Sequence, residues 1–346
     1  MSTNRPQLAF VDHPFHKKTK SADFLRIILK RKYEIKNFWQ GEYKMSELKK
    51  YDNIFFFQSF LNIKEIFALK NNKIVWAPMY DSMSNFDPNI LKICSNFSNI
   101  KILSFSQKIQ KLCKKFNLEH LYCKYYLRPK KLKPTLSKKI KIFFWYRGQI
   151  KINEWINLFK LSDIQCIYYY QLVDPFFKKD NISKKYQKKY KIKFLNGNFK
   201  MKDTLYMNKI IDSDVFISPR KKEGIGMSYL EALSLLKYIV AYDESTMNEY
   251  VNNAKIGFLF DQKTKTKVNI NNVKKYLNFR YIHLKKEYQK WLLAEKRIEN
   301  IFIGKNVKKE PILNFKFLVL YIQNMFFYFK IDTKKTIIKI LNLNNK

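Results

Sequence analysis

The sequence predicts an α/β protein built from two consecutive open parallel sheets, on three observations. Short runs rich in β-branched and aromatic residues alternate with longer stretches of helical periodicity, the pattern of βα units around a parallel sheet. This series occurs twice, interrupted at 127–139 by "LRPKKLKPTLSKK", whose two prolines and clustered lysines without apolar period suit an interdomain linker. The chain's 346 residues also exceed the roughly 250–300 at which a single hydrophobic core stops growing.

In the first series, strands are expected at 7–12 ("QLAFVD"), 33–39 ("YEIKNFW"), 53–58 ("NIFFFQ"), 73–78 ("KIVWAP") and 100–105 ("IKILSF"). Helical stretches lie between them, such as "SADFLRIILKRK" (21–32), where Phe24, Ile27, Ile28 and Arg31 recur at i, i+3, i+4 spacing. The second series runs through strand 140–146 ("IKIFFWY"), helix "INEWINLFKL", strands 164–170 ("IQCIYYY") and 191–195 ("KIKFL"), helix "DTLYMNKII" and strand 214–218 ("DVFIS"). A helix carrying Leu230, Leu233, Leu235 and Leu236 then precedes a strand "YIVAY". The expected domains are 1–130, 131–300 and a basic, aromatic tail over 301–346. No repeat of solenoid length is present.

Composition narrows the class. With 46% hydrophobic and 17% aromatic residues, the chain buries enough apolar surface to fold. Cys94, Cys113, Cys123 and Cys166 show neither CxxC spacing nor framework density, so buried, reduced thiols and no metal site are expected. The start, "MSTNRPQLAFVDHPF", lacks a basic region followed by an apolar stretch, and a cytoplasmic protein is expected. The formal net charge of +40 would attract anionic lipid or nucleic acid. Heavy use of Lys, Asn, Ile, Phe and Tyr is equally what AT-rich coding would give. The basic residues are scattered, and no RNA-reading module appears among them.

The chemistry concentrates in "SPRKKEGIGMSYLEAL", from Ser218. Here a buried-type strand ends at Pro219 and a helix begins near Met227, which puts "RKKEGIG" in a loop at the carboxyl end of a parallel strand, the edge where open α/β sheets bind ligands. Gly224 and Gly226 permit backbone conformations closed to other residues and allow a ligand close to the main chain. The amides of Gly226, Met227 and Ser228 point out of a helix N-terminus, whose dipole favours phosphate, with Ile225 beside them. Glu223 sits in the loop, and Glu231 about one turn into the helix. Each carboxylate suits hydrogen bonds from sugar hydroxyls at one end of a nucleotide sugar. The plain alternatives are a loop carboxylate paired with Lys221 or Lys222, and a solvated helix residue.

This stretch resembles the E-x7-E signature of the GT-B glycosyltransferases of family 4, close to "PSxxEGFGxxxLEAxA". The downstream "VAYDESTMNEYVNNAKIGFLFD" is similar to the family's continuation. The resemblance covers the second domain and implies two Rossmann-like domains with parallel sheets facing across a cleft. It also implies retaining, metal-independent transfer of a sugar from a UDP- or GDP-linked donor, without a cofactor. By matching position, Glu223 would contact the donor sugar and Glu231 the ribose. The family's diphosphate-binding Arg and Lys are matched less closely. Strand "IFFWY" runs into "RGQIK", where Arg147 precedes its glycine and Lys151 is followed by Ile152, so Lys221 or Lys222 is a substitute for Lys151.

The first domain departs further, since its loop after strand one, "DHPFHKKTKSADF", contains no glycine. His13 and His16 follow the strand's carboxyl edge, where a near-neutral pKa suits proton relay (His13) or acceptor binding (His16). Lys18, Thr19, Lys20 and Ser21 suit an anion at the next helix. Tyr80 and Asp81, in "WAPMYDSMSN", are acceptor-side candidates, Asp81 being equally a helix cap. In the tail, "LNFKFLVLYIQNMFFYFKI" (313–331) is too interrupted for a membrane span, which needs about 20 apolar residues. It reads either as a helix closing on the core or as an interfacial segment helped by Lys308, Lys309, Lys316, Lys330, Lys334 and Lys335. The expected activity is glycosyl transfer onto a glycan or lipid-linked acceptor in surface polysaccharide synthesis, at the inner membrane face. A nucleic-acid-binding protein, or a GT-B fold without activity, is the alternative.

Overall fold

The computed structural model describes residues 5–19, 21–59, 61–85, 89–131, 137–174, 177–196, 204–303, 318–327 and 330. They form two compact units. One comprises residues 1–17, 22–123 and 295–346, the other 18–21 and 124–294.

The first unit holds a six-stranded sheet of β1 (Gln7–Asp12), β2 (Glu34–Trp39), β3 (Asn53–Phe57), β4 (Lys73–Ala77), β5 (Ile100–Ser104) and β6 (His120–Tyr122), in the order β2-β1-β3-β4-β5-β6. All pairings are parallel. Central strand β3 is buried at every position, β1 and β4 nearly so. This follows from a parallel sheet covered on both faces, which calls for continuous apolar runs instead of alternation. The turn of helix Asp23–Leu29 differs from the sequence reading. Leu25, Ile28 and Leu29 face the core and Ile27 is 62% exposed, because seven residues at 3.6 per turn can bury only one stripe. The sequence also gives no sign of β6, whose three residues are all only half-buried.

The second unit holds β7 (Ile140–Tyr146), β8 (Ile164–Gln171), β9 (Ile192–Asn196), β10 (Val215–Ile217), β11 (Tyr238–Tyr242) and β12 (Gly257–Phe260), again parallel, in the order β12-β11-β10-β7-β8-β9. Renumbered within the unit, this is the 3-2-1-4-5-6 order of a doubly wound sheet, and its switch point lies between β7 and β10. Its core packs aromatic on aromatic: Phe144 meets Trp155 at 5.1 Å and Tyr169 at 5.4 Å between ring centroids. The helix expected after β7 is shorter, one turn at Ile152–Trp155 followed by 3₁₀ turns at Ile156–Leu158 and Leu161–Asp163. Helix Met227–Ser234 ends earlier as well, with Leu235 as its cap and Leu236 at φ 58°.

All four cysteines are free and buried. No helix among the described residues is long and apolar enough to cross a membrane. Most of the 127–139 linker is irregular, with 132–136 outside the described residues. Lys20 and the tail residues Lys308, Lys309, Phe315, Lys316, Phe317, Phe329, Lys334 and Lys335 also lie outside them. Helix 318–327 is described and packs on the first unit's core through Leu320, Tyr321 and Met325.

Candidate active site

At the second sheet's switch point, β7 delivers Arg147, β8 leads to Asp174, and β10 leads through Ser218 to Arg220 and Glu223. Asp174 binds both guanidiniums, one on each oxygen. Arg147 Nε donates to Oδ1 at 2.8 Å, with its Nη2 on the same oxygen. Arg220 donates to Oδ2 from Nε at 3.1 Å and from Nη2 at 2.7 Å. Arg220 Nη1 also lies 3.8 Å from Glu223 Oε2. The Arg147 guanidinium stacks over the Trp145 ring at 4.6 Å. Two cations and two carboxylates thus hold each other in place, which fixes the guanidiniums before any ligand arrives.

The backbone is shaped here too. Gly148 has φ +105°, and a Cβ there would lie 2.2 Å from Phe177 Cβ, so only glycine fits directly after Arg147. Gly226, at φ +69°, is the left-handed residue opening helix Met227–Ser234. Thr246 Oγ1 donates to the carbonyls of Glu223 and Gly224 at 3.2 and 3.1 Å. These bonds tie the loop to the segment after β11, so Glu223, Gly224, Ile225 and Ser228 are buried in an ordered loop and helix start, with Met227 half-buried.

Glu231 is half-buried and accepts a hydrogen bond from the Tyr206 hydroxyl at 3.2 Å. Burial raises its pKa, and the Tyr206 bond opposes the rise. Lys221 pairs with Glu154 at 2.8 Å and lies over the Tyr242 ring. Lys222 is exposed. Lys151 is exposed as well, and its backbone N–H caps onto Glu154 Oε1 at 2.8 Å. The geometry therefore gathers Arg147, Glu223, Gly224, Gly226 and the helix start, while Lys221 and Lys151 both meet Glu154. Asp174 and Arg220 were not singled out from sequence. Arg220 stands in the motif stretch itself, and an aspartate at a strand's carboxyl edge was the available signal for Asp174.

In the first unit, β1 ends in Asp12, which is wholly buried. Its Oδ1 faces His16 Nδ1 at 2.6 Å and accepts the His13 N–H at 2.7 Å, and its Oδ2 accepts from Arg26 Nη2 at 2.6 Å. Because Asp12 Oδ1 is a carboxylate acceptor, His16 Nδ1 carries a proton. His13 has the opposite tautomer, because its Nδ1 accepts the Phe15 N–H at 3.2 Å. Burial and the neighbouring His16 lower the His13 pKa against the pull of Asp12. Across this sheet's own switch point, Gln58 sits after β3 with φ 51°, a conformation that costs a non-glycine residue and gathers at functional sites. Sequence inspection misses it, as it misses Asp12. Lys18 is exposed, and Thr19 and Ser21 share a 3.0 Å hydroxyl contact. Tyr80 accepts from Lys108 Nζ at 3.0 Å, and Asp81 accepts from Ser82 Oγ at 3.5 Å. Both stand in the 3₁₀ turn Tyr80–Asn85 after β4.

Residues 175–292 match the family model of glycosyl transferases group 1. No curated protein matches the sequence. Among solved structures, the chain is similar to the apo form of the lipopolysaccharide outer core galactosyltransferase WaaB, with 10% identity and a TM-score of 0.54 over 84% of this chain and 99% of that one. It is also similar to the Anabaena protein HepE in complex with UDP, with 11% identity and a TM-score of 0.52 over 83% of this chain and all of that one, 100%. The two parallel six-stranded sheets are thus those of the GT-B fold. The match to the group 1 glycosyl transferase model lies within the second unit, over 175–292.

Glu231→Ala is expected to weaken nucleotide binding by about 1–3 kcal/mol, the usual cost of a lost charged hydrogen-bond partner, with the protein still folded at a lowered melting temperature because Tyr206 loses its acceptor. The raised pKa adds a pH signature. Protonation removes the anionic acceptor, so wild-type affinity should fall as pH drops through the raised Glu231 value, and the variant should lack that step. Calorimetric titration of UDP and GDP across pH checks both. Unaltered affinity in the variant would remove Glu231 from the site.

Proposed function

We propose that the protein transfers a sugar from a UDP- or GDP-linked donor to a glycan or lipid-linked acceptor in surface polysaccharide synthesis, with retention and without a metal or other cofactor. One observation carries this reading: the Arg147–Asp174–Arg220–Glu223 cluster stands at the carboxyl edge of the second sheet's switch point, beside the helix that begins after Gly226. The guanidiniums and the helix N-terminus suit a departing diphosphate, whose negative charge grows as the glycosidic bond breaks. Glu223 suits the donor sugar and Glu231 the ribose. Lys151 and Lys222, both exposed, are the supplementary cations for the diphosphate. That HepE is described in complex with UDP supports a nucleoside diphosphate as the ligand. His13 is assigned to proton relay through its Nε2–H, and His16, Tyr80 and Asp81 to the acceptor side.

A screen of nucleotide sugars for protection against heating identifies the donor, and NMR of the product's anomeric proton tests retention. An inverted product would transfer the leading role to the His16–Asp12 pair as base. Full activity in excess chelator is expected; loss of activity there would contradict the metal-free assignment.

Membrane association at the inner face is part of the same proposal. Helix 318–327 turns Leu320 and Asn324 inward, yet Leu318, Ile322 and Phe326 are 52%, 45% and 70% exposed, an i, i+4, i+8 stripe of apolar side chains in a strongly cationic chain. Leu318→Ser/Ile322→Ser/Phe326→Ser is expected to lower cosedimentation with vesicles containing phosphatidylglycerol while sparing nucleotide binding. Equal cosedimentation of variant and wild type would contradict the assignment.

A further inference from the structure

At the opposite, amino-terminal edge of the second sheet, a cavity of about 670 Å³ opens between the starts of β7, β8 and β9 and the helix Lys184–Tyr190. That size is within the range of about 300–1,000 Å³ usual for small-molecule sites. Five of its ten lining residues are lysines, Lys141, Lys184, Lys188, Lys191 and Lys193, and no acidic residue lines it. Lysine and arginine together make 68 of the 346 residues, so the chain's general basicity gives about two per ten, not five.

The carboxylates beside Lys141 are already committed, Asp214 to the Lys141 N–H and to Lys274. Asp212 accepts from Lys141 Nζ at 2.6 Å on Oδ1 and from the Tyr168 hydroxyl on Oδ2. Lys193 and Lys209 lie over the faces of the Tyr168 ring at 5.9 and 4.9 Å. Among the described residues, none of Lys184, Lys188, Lys191 and Lys193 has a carboxylate at ion-pair distance. Four ammoniums around one concavity repel each other, and a polyanion held among them relieves that repulsion. Ammoniums act as point charges without the fixed fork of guanidinium, which suits several phosphates in a loose array over one rigidly oriented group. Arg147 stands six residues along β7 from Lys141, about 20 Å at 3.3 Å per residue, so this cavity is separate from the donor site.

We propose that this cavity is a second binding site, for a ligand carrying two or more clustered phosphate groups. The site is independent of the glycosyl-transfer reading. The same chemistry is offered by a free phosphorylated or pyrophosphorylated saccharide and by the headgroup of an anionic lipid, so the test has two arms. In the first, inorganic tripolyphosphate is titrated calorimetrically into the full chain at physiological salt, alone and with saturating UDP or GDP. In the second, the chain is sedimented with phosphatidylcholine vesicles containing phosphatidic acid. Both are repeated with Lys184→Gln/Lys188→Gln/Lys193→Gln and with a control of equal charge change on the loop after β12 and the long helix Leu277–Glu299, Lys263→Gln/Lys285→Gln/Lys286→Gln, all exposed positions.

One-to-one tripolyphosphate binding that nucleotide does not displace, weakened by at least about tenfold in the cavity variant and little in the control, is the expected result for charge-based phosphate contacts. Vesicle binding lost in the cavity variant alone would support the site and identify the headgroup as its source. Equal losses in the two variants would show a diffuse surface effect and overturn the proposal. So would displacement of tripolyphosphate by nucleotide, or the absence of both phosphate and vesicle binding.

Discussion

Arg147→Ala is expected to lower sugar transfer by about 10²–10³-fold, the usual cost of removing one preorganised donor that stabilises transition-state charge. The same variant should weaken free UDP or GDP, because the guanidinium on Asp174 is assigned to the diphosphate. Glu223→Ala should cut turnover comparably but spare the free nucleotide, since its assigned partner is the sugar. The pair thus separates the two ends of the donor in one set of titrations. Asp174→Ala should fall between them: both guanidiniums remain, but each loses the carboxylate that orients it, so affinity falls less than turnover. Near-normal turnover in Arg147→Ala or Glu223→Ala, measured with the donor found by thermal protection, would contradict these roles.

The second large effect is on stability. Asp12→Ala is expected to destabilise the protein by about 3–5 kcal/mol, the range for breaking a buried ion pair by removing one partner. Asp12 is wholly buried and Arg26 is only 8% exposed, so the variant leaves a guanidinium in the core without its carboxylate. The Arg26 bonds to Asn37 and Asp23, at 2.9 and 3.2 Å, and its place over the Phe10 ring at 4.5 Å do not replace that charge. Urea unfolding should show a lower midpoint at nearly constant slope. A loss below about 1 kcal/mol, the worth of a surface pair, would show that the network is not structural.

The parts of the fold that were legible are those with a local cause. Buried strands such as β3 and β7 announce themselves by unbroken aromatic and β-branched runs, and the loop from Ser218 to Gly226 combines strand end, glycines and helix start within a few residues. Ile27 and Leu236 were misread because periodicity does not say where a short helix stops or which stripe it buries. β6 escaped because a three-residue edge strand has no pattern to show. In the Asp174 cluster, Arg147 and Glu223 were singled out through contiguous sequence. Asp174 is 27 residues from Arg147 and 46 from Arg220, so its position between two guanidiniums exists only once β7, β8 and β10 align. Asp12 was hidden for the same reason: Arg26 is 14 residues away. Helix 318–327 packs one face on the first unit's core and leaves the other exposed, a distinction that composition alone does not draw.

The switch point of the second sheet is proposed to hold a nucleoside diphosphate. Calorimetric titration of UDP and of GDP into the wild-type chain at physiological salt tests it most directly. Saturable one-to-one binding of at least one of them is expected, with little loss on doubling the salt, because the contacts are few and oriented. Absence of binding by both, together with RNA binding that falls steeply with salt, would contradict it and identify the basic surface as the functional one.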